Sequence, residues 1–311
     1  MGLCGFLKVE ILAVSNALKA DLLLVCATLL AGFGWLFSKE VLESMSPILF
    51  IGIRFLLAGL ILLPFSWAVL RKLEWLDIRQ ILISSLFFTT AIIFWVLGLH
   101  HVTHLGVGAF INNLAIVMVP VIALFFFKEK VNGLLWGSLP LTIAGLALLF
   151  LETDLSAGSG ELIFAVGAIF FAIFFNLNTR LAQRLPAMVL VTMQMLVTGI
   201  VALPISAMFE TWSFQHATGI WGFLIASVVL STCGRFVLQT WGQGMSSASH
   251  ASLLMTLEPV WVALISMVWL SERMSTMQAV GCGLLFSAIL LSRSGFLWRR
   301  FRRPKAVQPL S

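Results

Sequence analysis

The chain has 311 residues, of which 60% are hydrophobic and 10% charged: 19 Lys and Arg against 13 Asp and Glu, a formal net charge of +6. Soluble domains carry about 25% charged residues, so this chain lacks the polar surface needed to stay in water. With a mean hydropathy of +1.05, the composition excludes a water-soluble enzyme, a secreted disulfide scaffold and a disordered chain, and leaves an integral membrane protein with several spans.

A bilayer core takes about 20 apolar residues per helix. Ten such runs follow one another, at 20–38, 47–70, 79–99, 104–127, 131–151, 160–179, 187–209, 219–241, 247–270 and 275–298. Residues 1–19 read as a cytoplasmic N-terminal segment, since the span that follows has no small-residue cleavage pattern. The breaks carry charge or turn residues, among them Lys39–Glu40, Arg71–Lys72, His100–His101, Lys128–Glu129–Lys130, Arg180 and Arg184, Glu210, Gly242–Gln243–Gly244 and Glu272–Arg273. Residues 152–159 form an external linker between the fifth and sixth spans, and 299–311 a basic cytoplasmic tail.

With the N-terminus inside, fifteen basic residues fall on the cytoplasmic side and two, Lys39 and Arg273, outside. This asymmetry places both termini in the cytoplasm of a cell whose inner membrane the chain spans. The sequence pI of about 9.6 therefore reflects topology and contact with anionic lipid, and implies no nucleic-acid partner. Cys4, Cys26, Cys233 and Cys282 lack CxxC spacing and read as small apolar residues.

Five spans on each side of 152–159 indicate duplication. An offset of 140 pairs Gly59 with Gly199, Pro64 with Pro204, Arg54 with Gln194, and Ser38 with Asn178; an offset of 143 pairs Glu129 with Glu272 and Asn113 with Thr256. An odd number of helices per half inverts the second half relative to the first, so the fold class is an all-α polytopic membrane protein, ten transmembrane helices in two inverted five-helix repeats over 20–151 and 160–298. Inverted repeats suit a secondary transporter, whose halves rock about a central site.

A mid-membrane charge costs about 2.5–3.5 kcal/mol on insertion scales and is expected to face a cavity or a partner. Arg54, Arg235 and Glu258 are the three that qualify. Glu258 lies near the midplane of the ninth span, and Pro259 after it frees the carbonyl of Met255. Its carboxylate can bind a substrate amine or carry a proton, or it can pair with Arg235 and tie the eighth and ninth helices together across roughly 9 Å of depth at 1.5 Å per residue. Arg235 shares a helical stripe with Thr232, Gln239 and Gln243, suited to a substrate carboxylate or phosphate as well as to that pair. Arg54 reads as a helix-to-helix bond to backbone carbonyls. Asn112 and Asn113 can bond substrate or a neighbouring helix, as can Thr256. Trp35, Trp95 and Trp261 can line an aromatic cavity or fill the core.

His100, His101 and His104 have no cysteine or carboxylate cluster beside them, so no metal site is expected. His250 reads as an interhelical histidine or a proton-coupling group. No GxxxxGK[ST], HExxH or GxSxG occurs, so no catalytic residue, cofactor or ATP-driven step is implied.

The five-plus-five arrangement, Arg54 in an Ile-Arg-Phe-Leu-Leu-Ala-Gly run, the paired stretches Phe127–Lys128–Glu129–Lys130 and Leu270–Ser271–Glu272–Arg273, and Leu257–Glu258–Pro259–Val260 resemble the drug/metabolite transporter superfamily, EamA branch. The matching first-half stretch, Leu114–Ala115–Ile116–Val117, lacks the family's frequent proline. The resemblance covers roughly 20–295. It implies a cavity lined by spans 1, 3, 4, 6, 8 and 9, a small-molecule substrate with amino acids or their derivatives as the expectation, export as the direction, and protons as a coupling ion to test. The competing reading is a lipid flippase or a polytopic membrane enzyme.

Overall fold

Ten apolar runs become ten helices in the computed structural model. These are α1 (Gly2–Leu42), α2 (Pro47–Leu70), α3 (Trp75–His101), α4 (Leu105–Phe127), α5 (Gly133–Phe150), α6 (Ser159–Ala182), α7 (Ala187–Phe209), α8 (Thr218–Gly244), α9 (Ala248–Trp269) and α10 (Thr276–Phe301). The structure describes the backbone of residues 2–101, 105–150, 159–212, 218–269 and 274–301, and side chains within 16–98, 101, 110–150, 159–212, 218–269 and 274–294. Outside the described residues lie most of the 152–159 linker, the Leu270–Arg273 stretch, His104, the side chains of Cys4, Lys8 and His100, and the basic tail beyond Phe301.

Helices are the natural outcome for such runs, because hydrocarbon offers no partner for a free N–H or C=O and a helix satisfies them all internally. Each of the ten helices contains an apolar stretch of at least 18 residues. α1 runs one turn past Lys39, and α3 starts at Trp75, one turn before Arg79. Charge marks where an apolar stretch ends, whereas a helix continues until its backbone meets a breaker. For α1 that is the Ser46–Pro47 step, since the residue before a proline is pushed out of the helical region. α4 stops at Phe127, where Lys128 turns left-handed at φ 53° and the Glu129 N–H reaches back to the Ala123 carbonyl.

The helices pack as the duplication demands. α2 lies along α7, and α5 along α10, so each of these helices meets its own counterpart. The contact of α3 with α6 returns as α8 with α1, and that of α4 with α6 as α9 with α1. The α2–α7 seam is close because glycine permits it. A Cβ on Gly59 would stand 2.8 Å from the Leu196 nitrogen, and one on Gly199 would stand 2.5 Å from the Leu56 nitrogen. These are one contact seen twice, since 56 and 59 become 196 and 199 at the offset of 140.

The main apolar core gathers Phe50, Phe55, Phe88, Phe174 and Phe236 between α2, α3, α6 and α8. Their rings meet edge-on or tilted, with Phe88 4.7 Å from Phe174 and 5.2 Å from Phe236, a geometry that aromatic quadrupoles favour. Phe55 and Phe236 of this cluster also line the central cavity.

Candidate functional site

Two irregularities place the polar groups of the second half. α8 is α-helical over Thr218–Val228 and Arg235–Gly244, with a π-helical turn at Val229–Gly234 between them. Such a turn re-aims the side chains that follow it and recurs at functional sites. α9 is interrupted at Thr256, where Thr256 Oγ1 donates to the Leu253 carbonyl at 2.6 Å. Pro259 has no N–H, so the Met255 carbonyl lacks its usual donor at the same break.

Between the two halves lies a cavity of about 110 Å3. Its wall draws on α1, α3, α4, α6, α8 and α9, and also on α2, which contributes Ile51, Arg54 and Phe55. Six of these seven helices were expected. α2 was not, since the resemblance implied only the other six and Arg54 read as an interhelical group.

Of the candidate residues, Glu258, Arg235, Asn112, Asn113, Trp35 and Trp95 stand on the cavity wall. Glu258 Oε1 accepts from Trp35 Nε1 at 2.9 Å, and Glu258 Oε2 from Arg235 Nη2 at 3.0 Å. The side chains of this pair are 16% and 19% exposed, toward the cavity. The Arg235 guanidinium lies over the Phe236 ring at 4.7 Å, and Arg235 Nε is buried with no acceptor among the described residues. Trp35 meets Trp95 edge to face at 5.4 Å. Thus the carboxylate is bonded on both oxygens, while the guanidinium has donors to spare.

Gln239 and Thr256 are fully buried and stand behind the wall. Gln239 finds no partner for either amide atom among the described residues. Trp261 also packs away from the cavity, donating to Thr28 Oγ1 on α1 at 3.1 Å.

Arg54 is held more by hydroxyls than by carbonyls. Nε donates to Thr232 Oγ1 at 2.5 Å, Nη1 to Ser38 Oγ at 3.0 Å, and Nη2 to the carbonyl and hydroxyl of Ser231, both at 3.2 Å. Phe50 and Phe55 flank the group at 5.5 and 5.8 Å. Ser38 and Ser231 share the cavity wall with it. Sequence reasoning missed both serines as site residues. Ser38 carried a signal, as the counterpart of Asn178, whereas the π turn that aims Ser231 leaves no composition pattern to read.

Asn176, Asn178 and His250 bond across helices. Asn176 Nδ2 donates to the Val119 and Ala172 carbonyls at 3.1 and 2.9 Å, tying α6 to α4. Asn178 donates to Thr240 Oγ1 at 3.2 Å and to Gln243, and accepts from Gln194 at 2.7 Å. His250 Nε2 meets Asp21 Oδ1 at 3.1 Å, and Asp21 also bonds Arg293, which joins α1, α9 and α10. His101 Nδ1 lies 2.9 Å from the Leu97 carbonyl. No cluster of three metal-ligating side chains occurs among the described residues.

A ten-helix chain of two matching halves with a charged cavity at their junction is the form of a transporter family, and the model of the EamA-like transporter family matches residues 18–151 and again 158–294. The chain belongs to the EamA-like transporter family. It is a multi-pass membrane protein. An uncharacterized transporter of Archaeoglobus fulgidus is 27% identical over 279 residues, covering 88% of this chain and 85% of the relative. The uncharacterized transporter YoaV of Bacillus subtilis is 24% identical, covering 88% of this chain and 98% of the relative. A solved structure described only as "Crystal structure of protein" superposes with a TM-score of 0.75 at 19% identity, over 91% of this chain and 99% of that one, a likeness of fold. Membership of the family accounts for the repeat and the ten spans.

Proposed function

We propose that this EamA-family protein is a secondary transporter that exports small metabolites, amino acids or their derivatives among them, by alternating access around the central cavity. The observation that carries this reading is the Arg235–Glu258 pair at 3.0 Å in a cavity walled by both halves. Two inverted halves that meet at one polar site can expose it to each side in turn by rocking. A lipid flippase or membrane enzyme has no need of a site shared between the halves.

In this reading the two repeats span 20–151 and 160–298, the linker 152–159 is external, and both termini face the cytoplasm across a bacterial inner membrane. Arg235, Glu258, Asn112, Asn113, Trp35 and Trp95 contact the substrate in the state described here. Gln239 and Thr256 reach it when α8 and α9 move. Glu258 takes up the coupling proton once substrate releases it from Arg235.

The test is uptake and efflux in proteoliposomes with a panel of amino acids, with and without an imposed proton gradient. Flux of a panel member in wild-type protein, abolished in Glu258→Gln protein that stays monodisperse, is the expected result. Normal transport by Glu258→Gln removes that residue from the cycle, and no flux of any panel member with correctly inserted protein sinks the substrate class.

A further inference from the structure

The ionised groups on the cavity wall do not balance. Arg54 and Arg235 bring two positive charges and Glu258 one negative, which leaves one positive charge in excess among the described lining residues. Arg54 is bonded on all three of its nitrogens, and Glu258 on Oε1 by Trp35 and on Oε2 by Arg235. Arg235 is the most available. Among the described residues one donor goes to Glu258 and Nε is buried without an acceptor, and the guanidinium lies over the face of Phe236. Arg54 stands beside it, for its Nη2 bonds Ser231, one turn before Arg235 on α8.

Resting on the transporter reading of the same cavity, and narrowing its amino acid derivatives to those without a charged amine, we infer that it selects a small organic carboxylate of net charge −1 with an apolar body, docked on Arg235 beside Arg54 in competition with Glu258. The charge count selects the class. With Glu258 still ionised, before it takes up a proton, one negative charge neutralises the cavity, a zwitterion leaves the excess, and a cation doubles it. A phosphate monoester, which carries about −1.5 to −2 near pH 7, overshoots. Unpaired charge is expensive in a low-dielectric site, so the cavity discriminates by total charge as well as by shape. The guanidinium fork matches a carboxylate in two-point geometry. Trp35, Trp95, Phe55, Phe171 and Ile116 give the wall apolar faces that suit a hydrocarbon body, while Ser38, Asn112, Asn113 and Ser231 add polar groups without net charge. Glu258 then acts as an internal counter-ion that the substrate replaces, and is not an ammonium site.

A matched series tests this, because 3-phenylpropionate, L-phenylalanine and phenethylamine share one phenylethyl body and carry net charges of −1, 0 and +1. Binding to the purified full chain in nanodiscs is measured by calorimetry near pH 7, with phenyl phosphate as the fourth ligand. Binding of 3-phenylpropionate at least about ten-fold tighter than of L-phenylalanine, with phenethylamine weakest and phenyl phosphate below the carboxylate, is expected. Arg235→Gln should weaken the anion about ten-fold or more, and Arg235→Lys should keep the order of preference at lower affinity if Arg235→Gln does not fold. Glu258→Gln should bind the anion about three-fold or more tighter, since the competing carboxylate is gone. Equal or tighter binding of the zwitterion, the cation or the phosphate, no binding of any of the four, or weaker anion binding by Glu258→Gln each overturn the inference. Flux of amino acids without an anion preference overturns it and leaves the transporter reading standing, whereas anion binding without flux of any ligand does the reverse.

Discussion

Gln194 donates to Asn178 at 2.7 Å, across the same 16 residues that separate Arg54 from Ser38, whose bond is 3.0 Å. The offset of 140 turns one bond into the other, so both halves tie their second helix to the end of their first in the same way. The chemistry differs. In the first half the donor is a guanidinium on the cavity wall, and in the second it is an amide, fully buried and continuous with Thr240 and Gln243. One end of the pseudo-symmetric bundle is thus charged and lines the cavity, while the other is neutral and sealed.

The sealed end makes a stability prediction. Gln194→Ala strands the Asn178 Oδ1 acceptor, and a buried polar atom left unbonded costs about 1–3 kcal/mol. Asn178→Ala removes the same bond and those to Thr240 and Gln243. In thermal unfolding each single variant should melt below wild type, and the double variant should fall short of the sum. Interhelical bonds in membranes couple by about 0.6 kcal/mol on average and 1.7 at most. Full additivity in that double-mutant cycle shows that the 2.7 Å bond stabilises nothing.

The α2–α7 seam predicts a contrast between glycines. In Gly199→Ala the new Cβ meets the Leu56 backbone at 2.5 Å, and backbone cannot step aside as a side-chain tip can. A helix separation forced at this seam should cost about 1–3 kcal/mol as overpacking. Gly137→Ala, where nothing lies within 4 Å, should be neutral or gain about 0.5–1 kcal/mol from helix propensity. Melting temperatures of the two variants check this, and an equal loss at both sites contradicts the seam.

Sequence alone carried the number of spans, the duplication and the charged residues of the cavity, because each rests on a signal that hydrocarbon enforces: run length, charge exclusion, and polar groups where none should be. Glu258, Arg235 and Trp35 were legible as candidates on those grounds. What stayed hidden was mutual placement. Arg54 was visible as a buried charge, but two of its three hydroxyl partners, Ser231 and Thr232, come from a π turn that shifts them by a fraction of a turn, and periodicity at 3.6 residues cannot show that. Gln239 follows that turn on α8 and Thr256 sits at the break in α9, and neither lines the cavity. Nor does a sequence reveal that Glu258 is bonded on both oxygens, since Trp35 lies 223 residues away.

The Arg54 cradle predicts an effect of shape without charge. Thr232→Val keeps the volume and removes the acceptor of the Nε bond, and hydrogen bonds to charged groups are worth about 1.5–3 kcal/mol. Arg54→Lys keeps the charge and loses the planar fork that spans Ser38, Ser231 and Thr232. Both variants should lose thermal stability, with Arg54→Lys at least as affected as Thr232→Val. A Thr232→Val protein that melts with the wild type leaves Arg54 held by the serines alone.

Glu210 gives the last prediction, at the opposite end of the α2–α7 seam from the Asn178 network. Its Oε1 accepts the Ile48 N–H at 2.9 Å and its Oε2 the Leu49 N–H at 2.8 Å, while Ser206 Oγ donates to Oε2 at 2.7 Å. A carboxylate from the end of α7 therefore caps the start of α2 in the other half. Those N–H groups have no partner within their own helix, and the positive end of the helix dipole adds to the attraction. Losing such a cap costs about 0.5–2 kcal/mol. Glu210→Ala should lower stability by about that amount, and Glu210→Gln by less, since an amide keeps one acceptor oxygen and none of the charge. Hydrogen exchange at the Ile48 and Leu49 amides should rise in Glu210→Ala while the α5–α10 seam stays protected. Unchanged exchange at those two amides would show that the first turn of α2 holds without its partner.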